Sequence, residues 1–143
     1  MSAVFHDYIP LYTRSSIALD DTTTAVDVAI IPVPYKCQVR RVGLLVASSE
    51  TIAATVTFDQ RVLAGSDVGR VTFATISKAA SNQQGKYLYE DPSSSVVLNE
   101  GDEIVIDDLM AGTSTDTAGT AYAFVLVERM PETPANQVDM VAG

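Results

Sequence analysis

Tryptophan is absent from the chain, cysteine and histidine occur once each, and lysine and arginine together number nine in 143 residues. Each shortage excludes something. With Cys37 alone no disulfide forms within the chain, and a reactive thiol needs a base or basic pocket, whereas the single His6 stands in the N-terminal segment. A buried, inert Cys37 on a strand is the expectation. A zinc site within one chain needs several Cys or His ligands and is excluded. Nucleophilic catalysis of the Ser-His-Asp or Cys-His kind needs a firmly held imidazole, which a histidine ahead of the first strand does not supply. No run approaches the ~18 apolar residues of a membrane span, and no basic segment followed by an apolar one opens the chain, so neither a signal peptide nor a membrane is expected. Glycines are scattered, and Gly65, Gly69, Gly85, Gly101, Gly112 and Gly119 fall into no phosphate-cradling pattern.

Positive charge is short where it matters. Acidic residues number 18, for a formal net charge of −9. Up to residue 85 acids and bases cancel, so the whole excess lies beyond it, where only Lys86 and Arg129 are basic. Nucleic acid is bound by basic faces that displace counterions from phosphate, so no nucleic-acid partner is expected. An acidic second half favours solubility or a basic protein partner. Glu100, Asp102, Glu103, Asp107 and Asp108 have the chemistry of a calcium site, but their spacing matches no EF-hand loop. Alternation predicts Glu103, Asp107 and Asp108 on the solvent side of a strand. A glycosidase pair requires carboxylates held about 5–9.5 Å apart, which spacing in sequence does not test. No catalytic residue, cofactor or metal ligand is assigned.

What the chain has in quantity is period-two alternation rich in Val, Thr, Ser and Ala. Val26, Val28 and Ile30 are predicted on one face of a strand that Pro32 and Pro34 end. From Cys37 to Val46 the apolar face switches near Arg40-Arg41, which predicts a bulge or a strand buried on both sides. Val56 and Phe58 oppose Thr55, Thr57 and Asp59, and Tyr87 and Tyr89 share a face. Asn99-Glu100-Gly101-Asp102 reads as a turn whose glycine supplies a positive φ. Tyr122, Phe124 and Leu126 face one way and Ala123, Val125 and Val127 the other, so the last strand is expected at the centre of a sheet. Turn signals at Asp20-Asp21, Gly65-Ser66-Asp67 and residues 111–119 separate eight or nine strands, with no convincing helix.

One domain fits this length. The predicted fold is all-β, a jelly-roll-like antiparallel β-sandwich over residues 15–130, with an extended N-terminal arm (1–14) and an extended C-terminal tail (131–143). Pro10 keeps the arm out of any central strand, and the arm either caps its own core or docks on a neighbour.

Three stretches carry a resemblance: Gly85-Lys86-Tyr87-Leu88-Tyr89, Val96-Val97-Leu98-Asn99-Glu100-Gly101-Asp102-Glu103-Ile104, and Gly119-Thr120-Ala121-Tyr122-Ala123-Phe124-Val125-Leu126-Val127. Together with the Pro-led strand from Val33 to Val42 and the tail from Arg129 to Asn136, they look like small structural proteins coded among the head genes of tailed bacteriophages. The likeness covers about residues 30–136. It implies a capsid decoration, or cement, protein that is made in the host cytoplasm and joins the virion. There it sits on the outer capsid surface as a homo-oligomer, trimer favoured, and reinforces contacts of the major capsid protein. Such proteins work through surfaces, so no site residues carry over from a motif. Phe5, Tyr8, Ile9 and Tyr12 of the arm, with Pro131 and Pro134 of the tail, are the expected capsid or neighbour contacts, aromatic anchors being the usual centres of interface energy. The alternatives are a phage fibre, neck or receptor-binding component and a carbohydrate-binding β-sandwich module. An enzyme ranks last for want of parts.

Overall fold

The computed structural model describes residues 8–19, 25–62, 66–110 and 117–131. Phe5, His6, Pro134, the Asp20-Asp21 turn and most of the loop before Gly119 lie outside the described residues. Ten strands follow one another: β1 (Tyr8–Tyr12), β2 (Ile17–Leu19), β3 (Ala25–Pro32), β4 (Cys37–Val46), β5 (Ala54–Arg61), β6 (Val71–Lys78), β7 (Tyr87–Glu90), β8 (Val97–Leu98), β9 (Glu103–Met110) and β10 (Gly119–Arg129). Among the described residues there is no helix, and hence none long and apolar enough to cross a membrane.

All pairing is antiparallel and falls into two sheets. One has the order β1-β10-β4-β7, with β2 also on β10 and β8 also on β4; the other is β3-β9-β5-β6. The chain changes sheet between β2 and β3, β3 and β4, β4 and β5, β6 and β7, β8 and β9, and β9 and β10, and β7 and β8 share one position beside β4. That is a jelly-roll sandwich, as the alternation predicts.

The core lies between the sheets and follows the period-two pattern. Phe58, Leu19, Leu44, Ile52, Leu98, Ile104 and Ile106 are wholly buried, each such side chain contributing about 1.5–3 kcal/mol relative to exposure. The face switch in β4 is a bulge. Leu126 pairs with Arg41 and Val127 with Val39, leaving Arg40 as the extra residue, so Cys37 and Val39 before it and Val42, Leu44 and Val46 after it all point inward. The predicted turn before β9 is present: Asp102 N–H donates to the Asn99 carbonyl at 3.0 Å, and Gly101 has φ of 90°.

The arm takes a place in a sheet, and two expectations change. The arm is a strand from Tyr8 to Tyr12; it pairs with β10 at the sheet edge, where Pro10 costs no ladder bond on its free side. In β3 the pairing slips between Ala25 and Ala29 around Asp27, whose φ is 54°. Ile31 is therefore buried while Ile30 is exposed, so Val28 and Ile30 do not form a single core face. Asp107 and Asp108 do not face water: Asp108 is fully buried and Asp107 nearly so. Asp108 has the inward parity of Ile104 and Ile106, whereas Asp107 keeps the outward parity and is covered by Arg70.

Candidate interaction surface

β10 turns Ala121, Ala123, Val125 and Val127 into the core, so the other parity, Tyr122, Phe124, Leu126 and Glu128, faces outward. Register decides what lies beside them. Tyr12 pairs with Phe124, Pro10 with Leu126 and Tyr8 with Glu128 on β1. On the other side Leu45 pairs with Tyr122, Gly43 with Phe124 and Arg41 with Leu126. Beyond β4, Tyr87 sits opposite Leu45 and Tyr89 opposite Gly43. Three strands of this sheet, β1, β10 and β7, thus aim aromatic residues to one side across β4, and five of the chain's six tyrosines stand there, 42–61% exposed.

Phe124 is the hub. Its ring centroid lies 6.1 Å from Tyr12 and Tyr87 and 6.3 Å from Tyr89, the last two edge to face, while Tyr87 and Tyr89 stack at 6.1 Å. The ring lies over Gly43 of the next strand, where a Cβ would overlap it. A glycine in a central strand ordinarily weakens it; here the bare backbone gives the ring its seat. Arg41 extends the cluster, its guanidinium 5.0 Å from the Tyr89 centroid. Two bonds tie Arg41 to Asp91, at 2.7 and 3.3 Å. The hydrogen bond raises the Arg41 pKa and lowers that of Asp91. Arg40, the bulge residue, pairs with Glu128. The charged groups on this face therefore cancel.

The outer face of the other sheet is of opposite character. Arg70 donates to Asp59 at 2.6 Å, Asp107 at 2.6 Å, Asp27 at 2.9 Å and Asp67 at 3.1 Å. Burial opposes its charge, yet those carboxylates raise its pKa. Arg61 pairs with Glu103 at 2.9 Å. Asp27, held by the β3 irregularity, donates its N–H to Asp107 at 2.7 Å. Five carboxylates meet two guanidinium groups, so this face is closed on itself and negative.

The remaining chemistry-bearing groups also have structural work. Lys78 Nζ is 2.5 Å from Glu50 Oε2, both side chains being 0% exposed, and Glu50 accepts from Ile52 N–H and Gln83 N–H. Lys78 further donates to the carbonyls of Ile52, Ala79 and Ser81. Asp102 accepts from Gln60 and from Asn99 N–H, which fixes the turn before β9. Cys37 is wholly buried, and burial pushes its thiol up to about 11, far from a nucleophile at neutral pH. Among the described residues no group of three or more His, Cys, Asp or Glu is arranged to hold a metal ion.

Of the contacts expected from sequence, Tyr8 and Tyr12 belong to the aromatic face, Ile9 packs on the core instead, and Pro131 is exposed just past β10. Phe5 and Pro134 lie outside the described residues. Unassigned from sequence were Tyr87, Tyr89, Tyr122 and Phe124. Alternation already set each pair on one face of its strand; only the registers bring those faces together.

No family model matches the chain, and no curated protein does. Among solved structures, Eiger TNF from S. frugiperda is similar at 10% identity, over 89% of this chain and 96% of that one, with a TM-score of 0.52. Murine APRIL aligns at 11% identity over 85% and 99% of the two chains, with a TM-score of 0.44. The likeness to Eiger carries the jelly-roll sandwich alone and says nothing of a virus particle.

Proposed function

We propose that this chain is a structural, non-enzymatic assembly protein: a homo-oligomeric decoration protein on the outside of a tailed-phage head that reinforces contacts between major capsid proteins. The observation that carries it is the aromatic face of the six-stranded sheet, which stands exposed among the described residues. Monomeric proteins rarely expose a contiguous apolar patch larger than a few hundred Å², and larger ones mark macromolecular contact. Tyrosine is among the residues enriched in such contacts. The particle itself comes from the resemblance of the second half to phage head proteins, for which a jelly-roll sandwich is the implied fold. Co-sedimentation with expanded heads tests it. The protein is expected to pellet with them and raise their melting temperature; a protein that stays in the supernatant ends the decoration reading.

One observation favours a second reading. Exposed, stacked tyrosines such as Tyr87 and Tyr89 are also the platforms on which sugar rings lie. Silence on a glycan array removes that reading and leaves the first untouched.

A further inference from the structure

We propose that the aromatic face is the surface on which copies of this chain pack together, the occupant seated there being a second copy. The proposal rests on the reading of that face as a contact surface and names its partner. Charge comes first. The chain carries −9, so two copies repel wherever their acidic surfaces meet. The aromatic face is where that repulsion is least, because Arg40 closes on Glu128 and Arg41 on Asp91. A partner chosen by opposite charge would be drawn instead to the negative side of the molecule, where five carboxylates surround Arg61 and Arg70.

Chemistry agrees with charge. A tyrosine hydroxyl both donates and accepts, so a face edged by Tyr8, Tyr12, Tyr87, Tyr89 and Tyr122 offers a copy of itself matching partners. Self-complementarity of this kind is what a symmetric association requires. Size agrees as well. From Thr120 to Glu128 β10 runs about 30 Å, and four strands side by side span about 19 Å. The projected footprint of roughly 550 Å² approaches, in accessible area, the roughly 800 Å² per partner of a standard interface.

The test is the mass of the full chain in solution, by light scattering and sedimentation, for three proteins. Wild type and Val68→Glu, a control at a position 76% exposed on the β5–β6 connection, are expected at a multiple of 15.2 kDa. The double variant Tyr12→Glu/Tyr122→Glu is expected at 15.2 kDa with unchanged circular dichroism. A monomeric wild type, or a folded double variant that keeps the wild-type mass, overturns the assignment. Should the double variant fail to fold, hydroxyl-radical footprinting of wild type decides. Tyr12, Tyr87, Tyr89 and Tyr122 should be protected at high concentration relative to dilute protein, with Tyr35 unchanged, and equal oxidation of all five overturns the proposal. Head binding is scored separately: a monomer that pellets with heads removes the second copy and keeps the decoration reading, and an oligomer that ignores heads does the reverse.

Discussion

Glu50 and Lys78 lie in the loop after β4 and at the end of β6, and in sequence each looks like an ordinary surface charge. Folding takes both side chains wholly out of water and closes them on each other. Two buried charges are tolerable only when every remaining lone pair and proton finds a partner. Here the carboxylate accepts the N–H groups of Ile52 and Gln83, and the ammonium reaches three carbonyls. The pair thereby ties the β4–β5 and β6–β7 connections together. Glu50→Ala should destabilise the fold by about 3–5 kcal/mol, because the ammonium stays buried without its counter-charge. Lys78→Met combined with Glu50→Leu should recover only part of this, since two backbone N–H groups still lack their acceptor. Urea unfolding measures both. A Glu50→Ala loss below about 1 kcal/mol would mean that water reaches the site and the pair is not a structural bolt.

At the scale of elements, β4 carries two devices, the bulge at Arg40 and the bare seat at Gly43, and they differ in how legible they are. The bulge is written in the alternation, because a switch of apolar parity at Arg40-Arg41 has few physical solutions. The seat is not, because Phe124 meets Gly43 only through a pairing more than eighty residues away in the chain. β3 shows the converse failure: its alternation looks regular, but Asp27 takes a left-handed conformation and moves Ile31 into the core in place of Ile30. The buried Asp107 was equally illegible, since its cover comes from Arg70 in the connection before β6. The sandwich and most inward faces follow from local pattern, as does the shared face of Tyr8 and Tyr12 on β1. The surface as a unit depends on register. Gly43→Val tests that dependence. The new side chain must displace the Phe124 ring, and overpacking of this kind costs about 1–3 kcal/mol. The near-ultraviolet tyrosine signal should change with it, as Tyr12, Tyr87 and Tyr89 lose their common neighbour. Unchanged stability and unchanged spectrum would show that the ring does not need its seat.

For the whole molecule the two sheets give it two unlike sides, one aromatic and neutral, the other ionic and negative, and salt should separate what each does. At about 0.1 M ionic strength charges act over about 10 Å, and at about 1 M over about 3 Å. Screening relieves the repulsion between chains of charge −9 and leaves the burial of tyrosine rings unharmed. Self-association through the aromatic face should therefore hold or strengthen as sodium chloride is raised. Capture of the negative side by a basic partner surface should weaken over the same range, because its attraction is the quantity being screened. Sedimentation equilibrium of the protein alone, beside co-sedimentation with heads at matched salt, measures the two signs independently. Self-association that falls as salt rises would mean that ion pairs hold the copies together, with the Arg41–Asp91 and Arg40–Glu128 pairs opening to bridge between subunits and the tyrosine rings left as bystanders.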